Sequence, residues 1–219
     1  MQKEDLIQRQ WPFFLSFFVI NFTGLTAMAY FGKDELHLYF NQNFHSPFFD
    51  FFFKYYTDVA TTYVLIATLL YIIWKLNWRN FLFLGSIALT SSIISSIIKR
   101  NIFLHGHRPT YYFELKNIDL RLVEGVSSQI PYTFPSGHTT LAVILGFYLC
   151  LMTKSRILQF IICALMGLVA VGRVYLSKHF VIDTIGGSFL AVFIAILGYY
   201  FVWMNSNLKL DQKIIKHGK

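Results

Sequence analysis

Two histidines and an aspartate stand out because their neighbours suit an anionic ligand. His179 lies four residues before Asp183, and His138 directly follows Ser136 and Gly137. A carboxylate that hydrogen-bonds one imidazole nitrogen leaves the other nitrogen free to attack an electrophile such as phosphorus. A second histidine can donate a proton to the leaving oxygen. These side chains therefore predict nucleophilic and acid-base chemistry if the fold brings them together.

Basic residues suited to a phosphoryl group lie near these three in the sequence. The guanidinium groups of Arg108 and Arg173 can each hold two phosphate oxygens, and Lys99 adds another cation. Residues 135–137 precede a predicted helix start, where free N–H groups and the helix dipole attract anions. We expect catalysis by His179, His138 and Asp183 and phosphate binding by Lys99, Arg108, Ser136, Gly137 and Arg173.

The composition predicts that lipid surrounds most of the chain. Of its 219 residues, 55% are hydrophobic and 14% are charged, whereas soluble domains have about 25% charged residues. A helix needs about 20 apolar residues to cross a bilayer. Six candidate spans cover residues 12–31, 59–74, 81–98, 137–153, 157–176 and 184–204. We expect an all-α polytopic membrane protein whose six transmembrane helices form one bundle and one domain over residues 1–219.

Two stretches suggest further detail within this layout. Residues 34–56 are dense in aromatic side chains, which favour the headgroup boundary. We expect a short interfacial helix there, bordering the route by which a lipid enters. The third span carries small polar residues that permit close helix packing, so we expect it to be central. These residues are Ser86, Thr90, Ser91, Ser92, Ser95 and Ser96.

With six spans, the polar clusters at 99–109, 135–140 and 173–183 face one side of the membrane, opposite both termini. Lys and Arg number ten on the terminal side against nine on the other, but the nine include the phosphate-site cations. By the positive-inside rule, we expect cytoplasmic termini, with a basic tail over 205–219, in the inner membrane. The first two spans (12–74) precede the catalytic helices and loops (81–204), whose site we expect on the outer face.

The 27–29 stretch has the form of a signal-peptidase site, but the preceding tail mixes acids with bases, so we expect the first span to be retained.

Three motifs resemble the signature of the type 2 phosphatidic acid phosphatase family. They are Arg108-Pro109, Pro135-Ser136-Gly137-His138, and Arg173 with His179 and Asp183. The resemblance implies that His179 attacks phosphorus, Asp183 orients it, and His138 is the acid. It also implies that the remaining site residues hold phosphate without a metal or cofactor, and that the six-span layout extends over nearly the whole chain.

The sequence departs from the family pattern at two positions. The family usually has six residues between the lysine and arginine of its first motif, whereas eight separate Lys99 from Arg108. Seven separate Arg100 from Arg108, so Arg100 is an alternative for the lysine's role, and snorkelling to headgroups explains it equally well. Gly172 replaces the serine that usually precedes the motif arginine, which removes one hydroxyl donor.

The sequence therefore predicts an integral membrane lipid phosphatase acting through a phosphohistidine. The resemblance leaves three substrate classes open: undecaprenyl diphosphate, phosphatidylglycerol phosphate or phosphatidic acid, and lipid A phosphate. A lipid phosphotransferase and a non-catalytic lipid-binding or transport bundle are the alternatives. Dispersed basic residues argue against a nucleic-acid partner, and no obligate protein partner is implied.

The remaining polar residues and cysteines fit structural roles. Cys150 and Cys163 fall inside apolar runs and predict core packing. His105 and His107 have no carboxylate or thiol at ligand spacing, so we expect them to line or cover the pocket. The acidic residues of the 110–133 loop predict solvated surface. They are Glu114, Asp119 and Glu124.

Overall fold

The structure, a computed structural model, describes residues 6–103, 106–126, 132–205 and 210–215. Over these ranges the chain is helical, and its only β pairing is an isolated bridge between Asn77 and Lys213. This confirms the predicted all-α class. The helices are α1 (Leu6–Phe31), α2 (Lys33–Asn43), α3 (Pro47–Tyr56), α4 (Thr62–Lys75), α5 (Trp78–Ile97), α6 (Pro109–Glu114), α7 (Gly137–Met152), α8 (Arg156–Tyr175) and α9 (Val181–Gly198).

Several of these helices are long and apolar enough to cross a membrane. Among the described residues four segments qualify: Leu6–Phe31, Trp78–Ile102, Arg156–Tyr175 and Val181–Trp203. A fifth qualifies if α4 and the segment Pro47–Ala60, which meet at 46°, form one broken span. Helix α7 is apolar but has 16 residues, fewer than the about 20 that a full crossing requires. The multi-span bundle is confirmed, whereas the count of six stays a prediction.

The centre of the bundle is formed by α7 and α9 rather than by the third predicted span. Most residues of α7 are buried, and half of the apolar window of α9 is buried inside the protein. In α5, Ser91 and Ser95 face inwards, but Ser92 and Ser96 are exposed. Small residues at neighbouring positions of a helix point to different faces, so only one of the two serine rows packs against other helices.

Hydrogen bonds gather both described ends of the chain at one end of the bundle. Arg9 at the start of α1 donates to the Leu151 carbonyl at 2.7 Å, where α7 ends. At the start of α5, Arg79 binds the carboxylate of Asp211 at 2.7 Å and the Trp203 carbonyl at 2.8 Å. The polar clusters that predict the site lie at the opposite end, as expected. The tail residues Lys209, Lys216 and Lys219, with Lys3, lie outside the described residues.

The 34–56 segment forms two helices, where one interfacial helix was expected. Gly32 at φ 79° turns the chain from α1 into α2, a conformation that glycine adopts without the cost imposed by a Cβ. Ser46 caps α3 by accepting from the Phe49 N–H at 3.2 Å, and Pro47 occupies the first helical position. Both helices pack on the loop that carries His179, so they belong to the support of the site.

Candidate active site

A helix begins directly after Ser136, where the sequence predicted one, so the backbone there has the geometry expected of an anion site. Ser136 is the N-cap, and its Oγ accepts from the Thr139 hydroxyl at 3.0 Å. The N–H groups of Gly137 and His138 belong to the first turn, which has no partners within a helix. His138 therefore lies in the first turn of α7 beside free donors and the positive end of the helix dipole.

His179 and Asp183 are adjacent, although the local structure differs from the expectation. Helix α9 begins at Val181, about one turn earlier than the predicted span, but His179 still lies in the preceding loop. The His179 Nδ1 is 3.5 Å from Asp183 Oδ2, and both side chains are buried. The Phe180 N–H donates to the same carboxylate oxygen at 2.8 Å. The carboxylate is thus held at the start of α9, facing one ring nitrogen of the histidine.

Thr133 completes this pair, and sequence reasoning missed it. Its hydroxyl donates to Asp183 Oδ2 in a short hydrogen bond, and its Oγ1 is 3.2 Å from His179 Nδ1. The hydroxyl can accept from the Nδ1–H while donating to the carboxylate, which fixes the tautomer that leaves Nε2 unprotonated. A lone threonine in a loop carries no motif, and only the folded chain brings it to the histidine.

The loop over residues 176–180 carries the predicted nucleophile His179, and this predicted nucleophile loop is also tied to a predicted phosphate ligand. The backbone N–H groups of Lys178 and His179 donate to the Arg173 carbonyl at 3.0 and 3.2 Å. Arg173 lies in the last turn of α8 and is 7% exposed. The loop therefore folds back onto the backbone of Arg173, which is expected to hold phosphate. A movement of Arg173 would shift His179.

Three cationic side chains, those of Lys99, Arg108 and Arg173, lie close to His138. Within the described residues, the Nε atoms of Arg108 and Arg173 are buried and lack hydrogen-bond partners. The Lys99 ammonium lies 3.8 Å from the point that a Cβ on Gly137 would occupy. The charges of all three cations act on His138. Pro109 begins α6 and holds Arg108 in extended backbone. This excess of positive charge suits a phosphate dianion.

The alternative cation, Arg100, has a different environment. Lys99 is partly buried and directed towards the start of α7, whereas Arg100 is exposed. Arg100 borders a shallow surface depression with Ser92, Ser96 and Asn101. The geometry favours Lys99 for the first-motif role and snorkelling for Arg100.

The pocket environment sets the protonation of its loop residues. Burial lowers the pKa of His179 to about 4, against the opposing effect of Asp183. The ring is therefore neutral at pH 7 and available as a nucleophile. Burial, together with the charges of Arg173 and Arg108, lowers the pKa of Lys178 to about 8. Both shifts have the direction expected beside a buried, electropositive anion site.

Helix α2 supports the nucleophile loop through a second group of residues that sequence reasoning missed. Ser177 has φ 50° and is 1% exposed. Its hydroxyl lies 3.1 Å from His37 Nε2 and accepts from Asn41 Nδ2 at 3.4 Å. The His37 ring lies 5.2 Å from the Phe180 ring, and burial lowers the pKa of His37 to about 4. Polar residues four apart on one face of an aromatic-rich helix were the available signal.

The remaining predicted residues have simpler surroundings. His107 is partly buried and packs edge-on against Tyr111 at 4.8 Å, whereas His105 lies outside the described residues. Glu114, Asp119 and Glu124 are exposed. Cys150 and Cys163 are buried free thiols in the core, which confirms the packing prediction. Across the described part of the chain, no group of three or more His, Cys, Asp or Glu side chains is placed to hold a metal ion.

We expect Thr133→Val to reduce kcat by about 10- to 100-fold, the scale typical of groups that orient a reacting side chain. The substitution removes the hydroxyl between His179 and Asp183 but preserves the side-chain shape. Substrate affinity should change little, because Thr133 is not one of the predicted phosphate-binding residues. Steady-state kinetics would separate kcat from KM, and Thr133→Ser should restore most of the rate. Equal rates for the valine and serine variants would contradict the orienting role.

A family model described as the PAP2 superfamily matches residues 79–207, which include all eight predicted site residues. The chain is similar to lipid phosphate phosphatase delta of Arabidopsis thaliana, with 39% identity over 93 residues. That match covers 38% of this chain and 21% of the plant protein, so it spans about a fifth of that relative. Lipid A 4'-phosphatase of Porphyromonas gingivalis is 26% identical over 166 residues, covering 73% of this chain and 69% of that protein.

Two solved structures share the fold at low sequence identity. Aquifex aeolicus LpxE superposes with a TM-score of 0.65 at 22% identity, over 76% of this chain and 94% of its own. The PAP2-type phosphatidylglycerolphosphate phosphatase of Bacillus subtilis gives 0.61 at 18% identity, over 92% of this chain and 99% of its own. These likenesses support the multi-span helical architecture alone. Because the family model matches more than half of its residues, this multi-pass membrane protein belongs to the PAP2 superfamily.

Proposed function

We propose that this protein is a membrane lipid phosphatase that hydrolyses a phosphate monoester or diphosphate of a lipid through a phosphohistidine. The single observation that carries the proposal is the neutral, buried His179 ring beside Asp183 in a pocket with three cations. A nucleophile backed by a carboxylate and facing an anion site is the arrangement that covalent phosphoryl transfer requires. The named activities of the Porphyromonas and Bacillus relatives point to the same substrate class.

The proposed mechanism gives a different role to each of two histidines. Nε2 of His179 attacks phosphorus while His138 donates a proton to the leaving lipid oxygen, so one P–O bond breaks as a P–N bond forms. His138 then takes a proton from water, whose oxygen attacks phosphorus and releases inorganic phosphate and free His179. The cations Lys99, Arg108 and Arg173 hold the equatorial oxygens through both steps. With these charges supplied by the protein, we propose that turnover needs no metal ion.

We also propose the orientation of the bundle in the inner membrane. The end opposite the site carries Arg9, Lys75, Arg79, Lys154 and Arg156 in short loops and helix ends. The positive-inside rule places such residues in the cytoplasm. The catalytic pocket then lies on the outer, periplasmic face, where phosphate is released.

The test is phosphate release by the purified protein in detergent. We expect turnover of at least one member of a panel comprising undecaprenyl diphosphate, phosphatidic acid, phosphatidylglycerol phosphate and lipid A phosphate. Vanadate, which mimics a five-coordinate phosphorus, should inhibit, and EDTA should have no effect. Loss of turnover with EDTA that a divalent ion restores would refute the metal-independent mechanism.

Two other outcomes separate the alternative functions. If radiolabelled phosphate moved from one lipid to another with no free phosphate, the protein would be a phosphotransferase. If no panel member reacted but the lipids bound, the bundle would be a non-catalytic binding protein. We propose hydrolysis over transfer because the Porphyromonas and Bacillus relatives are named as phosphatases.

A further inference from the structure

A large apolar cavity lies beneath α2, between α1 and the helices α7, α8 and α9. Its volume is about 380 Å³, within the range of about 300–1,000 Å³ that small-molecule pockets occupy. Phe17 and Ile185 line its buried interior. Ile20 and Val171 form part of its rim and are 41% and 42% exposed. The cavity therefore opens sideways towards the bilayer between α1 and α8.

The lining selects an apolar occupant. The Ser188 hydroxyl donates to the side-chain Oδ1 of Asn21 at 2.6 Å, and the Asn21 Nδ2 donates to the Phe17 backbone carbonyl at 2.8 Å. The hydroxyls of Thr184 and Thr139 donate to Val181 and Ser136 at 2.7 and 3.0 Å. Buried water needs two to four polar partners, and these four side chains are already hydrogen-bonded to other protein groups. The remaining polar lining residue, Thr23, is exposed. Water is therefore a poor occupant, whereas a hydrocarbon suits the cavity.

Its depth is comparable with that of one leaflet of a bilayer. At the helical rise of 1.5 Å per residue, the lining extends about 16 Å along α8, from Val174 near the catalytic end to Cys163, and about 21 Å along α1, from Ala27 to Phe13. Half of a hydrocarbon core of about 30 Å is about 15 Å. A lipid chain that enters at the rim would therefore lie along the helices as its neighbours in that leaflet do.

The cavity is separate from the phosphate pocket. Of the described residues that line it, none belongs to α5 and none is among the eight predicted site residues. Helix α1 packs on α8 and α9, whereas α5 packs on α7 and α9 and brings Lys99 towards Gly137. The two spaces thus flank the central pair α7 and α9. Because the opening lies between α1 and α8, away from α5 and Lys99, we assign a chain in the cavity to a lipid other than the one being hydrolysed.

Helix α2 connects the two spaces. Leu36 and Phe40, four residues apart, line the top of the cavity. The residues that follow each of them, His37 and Asn41, face Ser177 in the nucleophile loop. A molecule in the cavity would therefore pack against Leu36 and Phe40 on one face of α2. The other face of α2 contacts the loop that carries His179.

We propose that this cavity binds one hydrocarbon chain of a non-substrate lipid from the leaflet on the catalytic side, and that the bound chain supports α2 against the nucleophile loop. The protein then carries an auxiliary lipid site behind its catalytic helices. Its activity depends on the presence of bilayer lipid as well as on the substrate. This goes beyond the proposed phosphatase reaction, and occupancy can be measured without any turnover.

Photolabelling in vesicles tests occupancy directly. The vesicles contain phosphatidylcholine with a fraction that carries a diazirine midway along one acyl chain. In the unaltered protein we expect adducts on Phe17 and Ile185, which are each 7% exposed, as well as on Phe193, which is 62% exposed to lipid. Excess oleate should compete for the two interior positions and leave Phe193 labelling unchanged, because only the cavity saturates.

Ala170→Phe fills the cavity, and Ala164→Phe is its matched control on the exposed face of the same helix. The ratio of Ile185 to Phe193 adducts should fall at least fivefold in Ala170→Phe and stay unchanged in Ala164→Phe. Val143→Phe fills the same space from α7 and serves if Ala170→Phe does not fold. Absence of interior adducts in the unaltered protein, or an equal ratio in folded cavity-filled variants, would overturn the proposal.

Phosphate release with and without added phosphatidylcholine tests the link to α2. In detergent, the lipid should raise the rate of the unaltered protein and of Ala164→Phe at least threefold, and that of Ala170→Phe less than 1.5-fold. An equal response of all three proteins would overturn the link to α2. If none of the three proteins released phosphate from any lipid, the proposed phosphatase function would be wrong. Photolabelling would still show whether the cavity binds a lipid chain, because it needs no turnover.

Discussion

Replacing His179 with alanine is expected to lower the rate of phosphate release by at least about 10⁴-fold, the scale at which a catalytic nucleophile or base is lost. Elsewhere in the described chain, the other close His–Asp pair is His45 with Asp50. There, Nε2 of His45 lies 3.3 Å from the Asn41 amide, so that nitrogen is occupied. His179 is the ring whose Nε2 is left for phosphorus.

The matched control is His45→Gln, which alters an equally buried histidine outside the pocket. We expect it to retain at least a tenth of the unaltered rate. Initial rates on the best panel substrate provide the measurement, supported by quenching with alkaline SDS after incubation with radiolabelled substrate. The unaltered protein should form an acid-labile, base-stable phosphoprotein, and His179→Ala should form none. A His179→Ala protein with full activity would rule out this residue as the nucleophile.

Replacing His138 with alanine is expected to produce a loss that depends on the leaving group. For a lipid phosphate, whose alkoxide leaves poorly without a proton, the rate should fall by about 10²- to 10⁴-fold. For an aryl phosphate the loss should be less than tenfold, because a phenol has a pKa of about 10 and leaves readily as the anion. Both effects follow from removing a general acid while the nucleophile stays in place.

The comparison of two substrates makes this prediction specific. Single-turnover rates of phosphoenzyme formation with an alkyl and an aryl phosphate would be measured for each protein. His107→Ala serves as the control, since this partly buried histidine lies next to Arg108 and should change both rates by the same factor. If His138→Ala slowed both substrates equally, the residue would orient phosphate and another group would protonate the leaving oxygen.

Several parts of the architecture were predictable because they depend on local chemistry. Apolar length and dispersed charge predicted an all-helical multi-span bundle, and Pro135 with Ser136 predicted the start of α7. An even number of crossings between polar clusters predicted that three remote stretches would meet at one end. The spacing of His179 and Asp183 predicted their contact, even though the histidine lies outside the helix.

The amino-acid sequence by itself determined the candidate reacting groups, their charge and the end of the bundle where they gather, because side-chain chemistry and hydrophobic length are local properties. Tertiary structure alone decided that Thr133 lies between the histidine and carboxylate, that α2 supports Ser177, and that Lys99 rather than Arg100 faces Gly137. It also decided that α7 and α9 are central and that a cavity remains behind them. These features depend on which helix faces meet, and inside a bilayer most faces are equally apolar, so hydrophobic pattern cannot rank them.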